Sequence, residues 1–538
     1  MPRNPLCRGC AATDRTVVSR LPAIVVHVDT PDDGRASDPR DPRGYSDDAP
    51  LFEAWLGFTD EVDAGALAPF SIPGHKHRRD LVGDVIRGDA PLFAGLDTMK
   101  QTRGVLASAE GRAADAWGVD WCRLSVGGST HANQAAVLAL GRPGQPVIVS
   151  RTLHRSVLLG IVFAGLRPVW VRPEIDAATG LPGAVPVAAV EAALARHPDA
   201  CGVLVGDPSY VGTMSDIAGL ADAAHAAGVP LVVDAAWAAY FGFSTRVPAH
   251  ALARGADALV TSAHKTLPAW SQGALLLART TRTGGLLDAD RLARGFEASH
   301  TTSPAGPILA SMDASRVLLQ RDGEELIGRL VALVADAAGR LSRIGGVQVL
   351  RERPAGHPDG ALAVDPAKLV VLLAGTGAHG HAIEDDLLSA GITLEMADRD
   401  VIVPLVTVAD DERSVGRLVD AVAAAVERHR GAPRVATASA AWTVAAAPVL
   451  PPRQAFFAAH ETVDADAAIG RVCAELIAPY PPGVPVLAPG EEITAGAVAA
   501  LREARVEGGR IAYAADPTLT TIQVVAHADA LPPNPAGA

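Results

Sequence analysis

The chain has 538 residues, 49% of them hydrophobic, and a formal net charge of −13, with a mean hydropathy of +0.20. That length is ample for several buried cores, and the acidic balance argues against a nucleic-acid partner. No apolar run reaches the roughly 18 residues that a membrane span needs, so no membrane partner is expected.

The N-terminus "MPRNPLCRGC" lacks the apolar core of a signal peptide. The five scattered cysteines, Cys7, Cys10, Cys122, Cys201 and Cys473, suit a reducing compartment. A cytoplasmic protein is expected. Cys7 and Cys10 form a lone CxxC without a second ligand pair, which reads as an ordinary terminus ahead of a structural zinc. Of the 47 basic residues only four are lysines, Lys76, Lys100, Lys265 and Lys368. Arginine therefore carries the generic positive charge. An arginine keeps its proton in a protein whereas a desolvated lysine can become a neutral amine, so the lysine in "SAHKTLPAW" (262–270) stands out.

In chain order, residues 1–50 read as a terminal segment, its end rich in Pro, Gly and Asp and exposed. A compact domain starts near residue 50. From 120 to 280, short β-branched runs alternate with amphipathic stretches: "PVIVS" (146–150), "LRPVWV" (166–171), "CGVLVG" (201–206), "VPLVVD" (229–234), "DALVTS" (257–262) and "GALLLA" (273–278). These predict a mostly parallel α/β sheet covered on both faces. The large domain is drawn at 51–310, followed by a smaller α+β domain at 311–430 that opens with a long helix near 323–344. Strands are expected in it at 368–375, 392–397 and 400–408, and a helix near 411–429. An Ala/Pro-rich linker (431–454) leads to a C-terminal α+β module (455–538).

In such a sheet the chemistry gathers in loops at the carboxyl ends of strands. Four loops carry suggestive residues. "LSVGGSTHANQ" (124–134) offers Ser129, Thr130 and the His131 amide at a helix start, which suits a phosphate, though a plain N-cap by Ser129 or Thr130 reads equally well. His154 follows the strand at 146–150 and reads as a capping histidine or as a site residue. Asp234 ends a strong apolar strand, where a buried carboxylate needs a partner or else is a loop cap. Ser262 and His264 flank Lys265. A phosphate cradle, an imidazole, a carboxylate for a ring nitrogen and an amine for an imine together describe pyridoxal phosphate (PLP).

The order of these loops, with Lys265 31 residues after Asp234, resembles the fold-type I PLP enzymes of the aspartate-aminotransferase superfamily. More specifically, "IPGHK" (72–76), "GGSTHANQA" (127–135), "DPSYVGTMSD" (207–216), "DAAW" (234–237), "SAHKTLPAWSQGA" (262–274) and "TTSPA" (301–305), with "PPRQAFFAAHETV" (451–463) and "APYPPGVPVLAPGE" (478–491), resemble the consecutive motifs of the Orn/Lys/Arg decarboxylase family. The resemblance implies that Lys265 carries the cofactor as an imine, Asp234 pairs with its ring nitrogen, Ala236 packs beneath the ring and His154 stacks above it. Ser129, Thr130, His131, Ser262 and His264 would hold the phosphate. It also implies a homodimer with shared active sites, Thr302 and Ser303 reaching the partner's cofactor, and membership among shorter forms without an N-terminal wing domain, higher oligomers being open.

The activity implied is decarboxylation of a basic amino acid, arginine, lysine or ornithine, toward polyamine biosynthesis. Glu395 in "GITLEMAD" would receive the cationic side chain, or is a solvated strand-end carboxylate. Trp237 and Lys76 are further substrate-side candidates, and Trp237, Ala238 and Tyr240 depart from the commonest family residues. His379 and His381 offer no third ligand, so no metal site is expected. An aminotransferase or lyase on the same fold, or an inactive regulatory homologue, are the competing readings.

Overall fold

In the computed structural model the described residues are 38–67, 70–91, 104–436, 438, 440–445, 447–480 and 483–526. Cys7, Cys10 and Lys100 lie outside them. The chain divides into two compact units, 1–44 and 45–538. In the first, residues 38–44 form turns in which the Asp38 carboxylate accepts from Arg40. All that follows concerns the second.

Its centre is a seven-stranded sheet: β1 (Trp121–Ser125), β2 (Pro146–Ser150), β3 (Arg167–Val171), β4 (Val203–Gly206), β5 (Leu231–Asp234), β6 (Ala258–Ser262) and β7 (Ala274–Ala278), in the order β1-β7-β6-β5-β4-β2-β3. The five strands from β6 to β3 run parallel, and β7 is antiparallel to both β6 and β1. The expected mostly parallel sheet is thus present, with one reversed strand near its edge. Successive residues feed opposite cores: Leu231 and Val233 join one apolar cluster while Val232 joins another, as do Leu275 and Leu277 against Leu276. A strand buried on both faces has to be apolar throughout, which explains the continuous apolar runs.

Helix α1 (Pro50–Asp63) begins the unit, with α2 (Gly128–Leu140) following β1 and α3 (Arg155–Ala164) following β2. Helix α4 runs unbroken over Gly306–Leu341, starting well before the stretch expected from periodicity. Its buried Asp313 accepts the Leu51 N–H at 2.9 Å, satisfying a free donor at the start of α1, and pairs with Arg316 at 2.7 Å.

Beyond α4 lies a four-stranded antiparallel sheet of β8 (Gln348–Val349), β9 (Val371–Leu372), β10 (Met396–Ala397) and β11 (Val401–Val403), ordered β10-β11-β9-β8 and followed by α5 (Glu412–Arg428). These strands are shorter than their apolar runs. Residues 368–370 are buried without joining the ladder, because burial rather than strand pairing set the hydrophobic pattern there. Near the C-terminus, β12 (His460–Asp464) pairs with β15 (Thr521–Val525), and β13 (Ala478–Tyr480) with β14 (Arg510–Ala512), around a separate apolar cluster that includes Ile477, Ile493 and Leu501. Among the described residues no helix is long and apolar enough to cross a membrane.

This last region is tied to the end of β2 by a buried ion pair. The Arg151 guanidinium donates to both Glu491 carboxylate oxygens, at 2.6 and 2.9 Å, and to the Val486 carbonyl at 2.9 Å, while stacking on Trp170. Removing one member leaves the other buried without its counter-charge. Glu491→Ala is therefore expected to cost about 3–5 kcal/mol, seen as a lower urea midpoint, and the double change Arg151→Met with Glu491→Leu should recover most of it.

Candidate active site

Strand direction gathers the chemistry. Asp234 closes β5, Ser262 closes β6 and Ser150 closes β2, while Ser125 and Ser262 both face Ala274 in register, so the loops after all of these strands open on one edge.

After β1, Gly128 turns the chain at φ 68°, a conformation that favours glycine. Helix α2 begins there with Gly127 as N-cap and no side-chain cap. The hydroxyls of Ser129 and Thr130 are thus not used for capping. Ser129 Oγ lies 2.6 Å from Ser262 Oγ, which joins the first and fourth of the sequence-selected loops. His131 is placed differently from its neighbours. Its ring is buried between Ser125 Oγ (2.8 Å) and the Phe296 carbonyl (2.8 Å), and its amide donates to the Gly127 carbonyl. His264 Nδ1 likewise faces the Gly273 carbonyl at 2.9 Å.

Asp234 is buried, and burial raises its pKa; the nearby Lys265 charge and a hydrogen bond from Asn133 Nδ2 at 2.8 Å oppose that rise. Asn133 Nδ2 also donates to Ser156 Oγ at 3.0 Å, and Ser156 Oγ lies 2.8 Å from His154 Nδ1. The Ser156 N–H donates to the same ring nitrogen at 3.2 Å, so His154 caps α3 as well as facing Lys265. With Nδ1 accepting, the neutral ring carries its proton on Nε2. Burial, then the charges of Lys265 and Arg155, push His154 down to about 4.

Lys265 sits in a one-turn helix directly after β6. Burial lowers its pKa, while Asp234 and Glu395 act to raise it. Its amine lies 4.1 Å from the centre of the Trp237 ring. A second amine, Lys368 Nζ, lies 4.0 Å from the same ring. Tyr210 meets Trp237 edge-on at 5.1 Å and donates its hydroxyl to Glu395 Oε1 at 2.7 Å. Ala236 is buried beside them.

The structure thus brings together Ser129, Ser262, His154, Asp234, Ala236, Trp237, Lys265 and Glu395. Lys76 is exposed, and its amine donates to the Ser71 carbonyl of its own loop. Thr302 and Ser303 are exposed in the stretch before α4. Four residues here had no role from sequence: Asn133, Ser156, Tyr210 and Lys368. Asn133 stands one helical turn after Ser129, on the same face of the helix, and Lys368 is one of four lysines.

Hydroxyls at a helix N-terminus, a buried carboxylate held by an amide, and a desolvated lysine amine form the donor set that a phosphorylated pyridine aldehyde needs. The residues present fit that group. On this sheet they define a fold-type I α/β enzyme.

Comparison with known proteins narrows the class. Residues 50–414 match the Orn/Lys/Arg decarboxylase major domain and residues 436–505 match the C-terminal domain of the same family. The chain is 32% identical over 472 residues to an arginine decarboxylase of Halalkalibacterium halodurans, covering 86% of this chain and 95% of that one. It is 31% identical over 467 residues to an arginine decarboxylase of Bacillus subtilis, covering 85% and 94%. In fold it is similar to the lysine decarboxylase LdcF of Francisella novicida, with a TM-score of 0.75 at 18% identity over 89% of this chain and 81% of that one. The chain belongs to the Orn/Lys/Arg decarboxylase family. It is a decarboxylase of basic amino acids, and its family implies PLP.

Two histidines with lowered pKa, buried His131 and half-buried His154, dictate a pH response. His131 is also pushed down to about 4, chiefly by burial. In the unfolded chain both rings titrate near 6.5, so below that pH the unfolded state takes up protons that the folded state refuses until about 4. Stability is expected to fall as pH drops from about 6.5 to about 4 and to level off above it. Thermal unfolding across this range should show a shallower slope in His131→Asn and in His154→Asn.

Proposed function

We propose that the chain decarboxylates L-arginine, with PLP held on Lys265, as a cytoplasmic homodimer. The observation that carries the substrate reading is the pair of arginine decarboxylases matched almost end to end at 31–32% identity. The assembly reading draws support from exposed apolar residues Phe70, Ile72, Val85 and Trp270 and from the exposure of Thr302 and Ser303. The domain division at 310, 430 and 454 belongs to the same reading, supported at its last boundary by the separate C-terminal apolar cluster.

When bound, PLP supplies an electron sink for the pair left at Cα as the carboxylate departs. Asp234 would hold a proton on the ring nitrogen, and Asn133 orients that carboxylate. Neutral His154 would offer a flat face to one side of the ring and Ala236 would pack on the other. Ser129, Thr130, Ser262 and His264 would hold the phosphate, whereas the His131 amide expected from sequence is taken up by the Gly127 carbonyl. Lys265, desolvated enough to give up its proton, would hold the cofactor's aldehyde group in the resting protein and could return a proton to Cα, a task His154 could share. Glu395, steadied by Tyr210, would receive the guanidinium. Trp237 lines the substrate side, and Lys76 would stand at the entrance.

Purified protein supplied with PLP and given arginine, lysine or ornithine should release CO2 and amine fastest from arginine. Formation of keto acid without CO2 would count against decarboxylation and for an aminotransferase. Lys265→Ala should abolish the borohydride-reducible adduct, and Asp234→Asn should slow CO2 release by on the order of 10²–10³. Sedimentation should give a dimer.

A further inference from the structure

Lys368 is the least satisfied group near the site. It is buried, and its amine has no hydrogen-bond partner. The acids around it are already engaged: Asp365 accepts from the Tyr240 hydroxyl at 2.5 Å and the Ala367 N–H at 3.0 Å, and Glu395 accepts from Tyr210. Its stem passes over Gly212, where a Cβ would come within 2.8 Å of Lys368 Cγ at a φ of +83°. The backbone is therefore shaped to let this side chain through.

A lone buried amine costs stability. An apolar side chain would pack against Trp237 and Tyr210 without that cost, and arginine is this chain's usual cation. Burial pushes the Lys368 amine down to about 8, with Asp365 and Glu395 opposing and Lys265 reinforcing that fall. It still carries a positive charge for most of the time at neutral pH. Asp365 and Glu395 lie within electrostatic reach of this cation, yet neither accepts a hydrogen bond from it; an anionic guest would fill those donor positions, and an amino acid brings one anion, its α-carboxylate. The amine of that amino acid has to reach Lys265. Lys265 and Lys368 each lie about 4 Å from one ring, so the two nitrogens are separated by no more than about twice that distance, within the span of an α-amino acid docked on one nitrogen and hydrogen-bonded to the other.

Resting on the decarboxylase reading of the Lys265 site, we propose that Lys368 is the counter-ion that binds the substrate's α-carboxylate. No bond forms to it. The carboxylate leaves as neutral CO2, its electron pair remaining at Cα, and the ammonium is again unpaired when the amine product departs. Because the negative charge moves away from Lys368 as the bond breaks, the contact is stronger in the bound substrate than in the transition state. Lys368 accordingly contributes to substrate affinity and to discrimination against the carboxylate-free product, and little to the chemical step.

The test is a comparison of ligands with and without that carboxylate. In holoenzyme, Lys368→Met should raise the KM for the preferred amino acid roughly 10- to 100-fold, raise kcat by up to the same factor, and leave inhibition by the corresponding amine product unchanged. Lys368→Arg should recover much of the affinity. Calorimetric titration of the Lys265→Ala protein with amino acid and with amine, with and without Lys368→Met, gives the same contrast without turnover. Equal weakening of amino acid and amine, or a fall in kcat at unchanged KM, would overturn the proposal and make Lys368 a support for Trp237 or a modulator of Lys265. Failure of the wild-type holoenzyme to release CO2 from any basic amino acid would instead remove the decarboxylase reading beneath it.

Discussion

Asp234 ends a strand whose other three residues are wholly apolar, and its carboxylate is placed where water does not solvate it. Burying a carboxylate is tolerable only if the surroundings supply donors or positive charge, and the neighbouring elements are arranged to do so. Helix α2 contributes Asn133, the one-turn helix after β6 contributes Lys265, and the backbone at Ala236 closes over the remaining oxygen at 3.3 Å. Through Asn133 and Ser156 the same demand reaches His154, whose ring is held in one tautomer.

The second organising element is Trp237. A large ring three residues beyond Asp234 gives both lysines a surface to pack on and, through Tyr210, links them to Glu395, which directly precedes the edge strand β10. Cation–π attraction offsets part of the desolvation cost of each amine, typically by about 0.5–2 kcal/mol. The site is thus a low-dielectric pocket in which charges of both signs are held close and incompletely paired. Such surroundings disfavour the ammonium form of Lys265.

Much of this was legible along the chain. The apolar runs marked all the parallel strands, because a strand covered on both faces cannot afford polar residues except at its ends. The same rule made Asp234, Ser262 and His154 conspicuous at those ends. The rarity of lysine pointed to Lys265. It points equally to Lys368, where the apolar run "KLVVLLAG" predicts a strand; the ladder begins three residues later, and the lysine belongs to the turn before it. His131 illustrates the opposite case: it stands in the phosphate-binding loop by sequence, yet helical periodicity turns its ring into the core beside Phe296.

What the sequence by itself determined is therefore the sheet, its buried faces and the residue types at its carboxyl edge, since these follow from local pattern and from the energetic cost of burying polar groups. What only the tertiary structure decided is which of those groups meet. Ser129 and Ser262 are 133 residues apart, Asn133 and Asp234 are 101 apart, and Tyr210 and Glu395 are 185 apart. Contacts over such separations depend on strand order and on how the second sheet packs, and neither is written in the periodicity of any one segment.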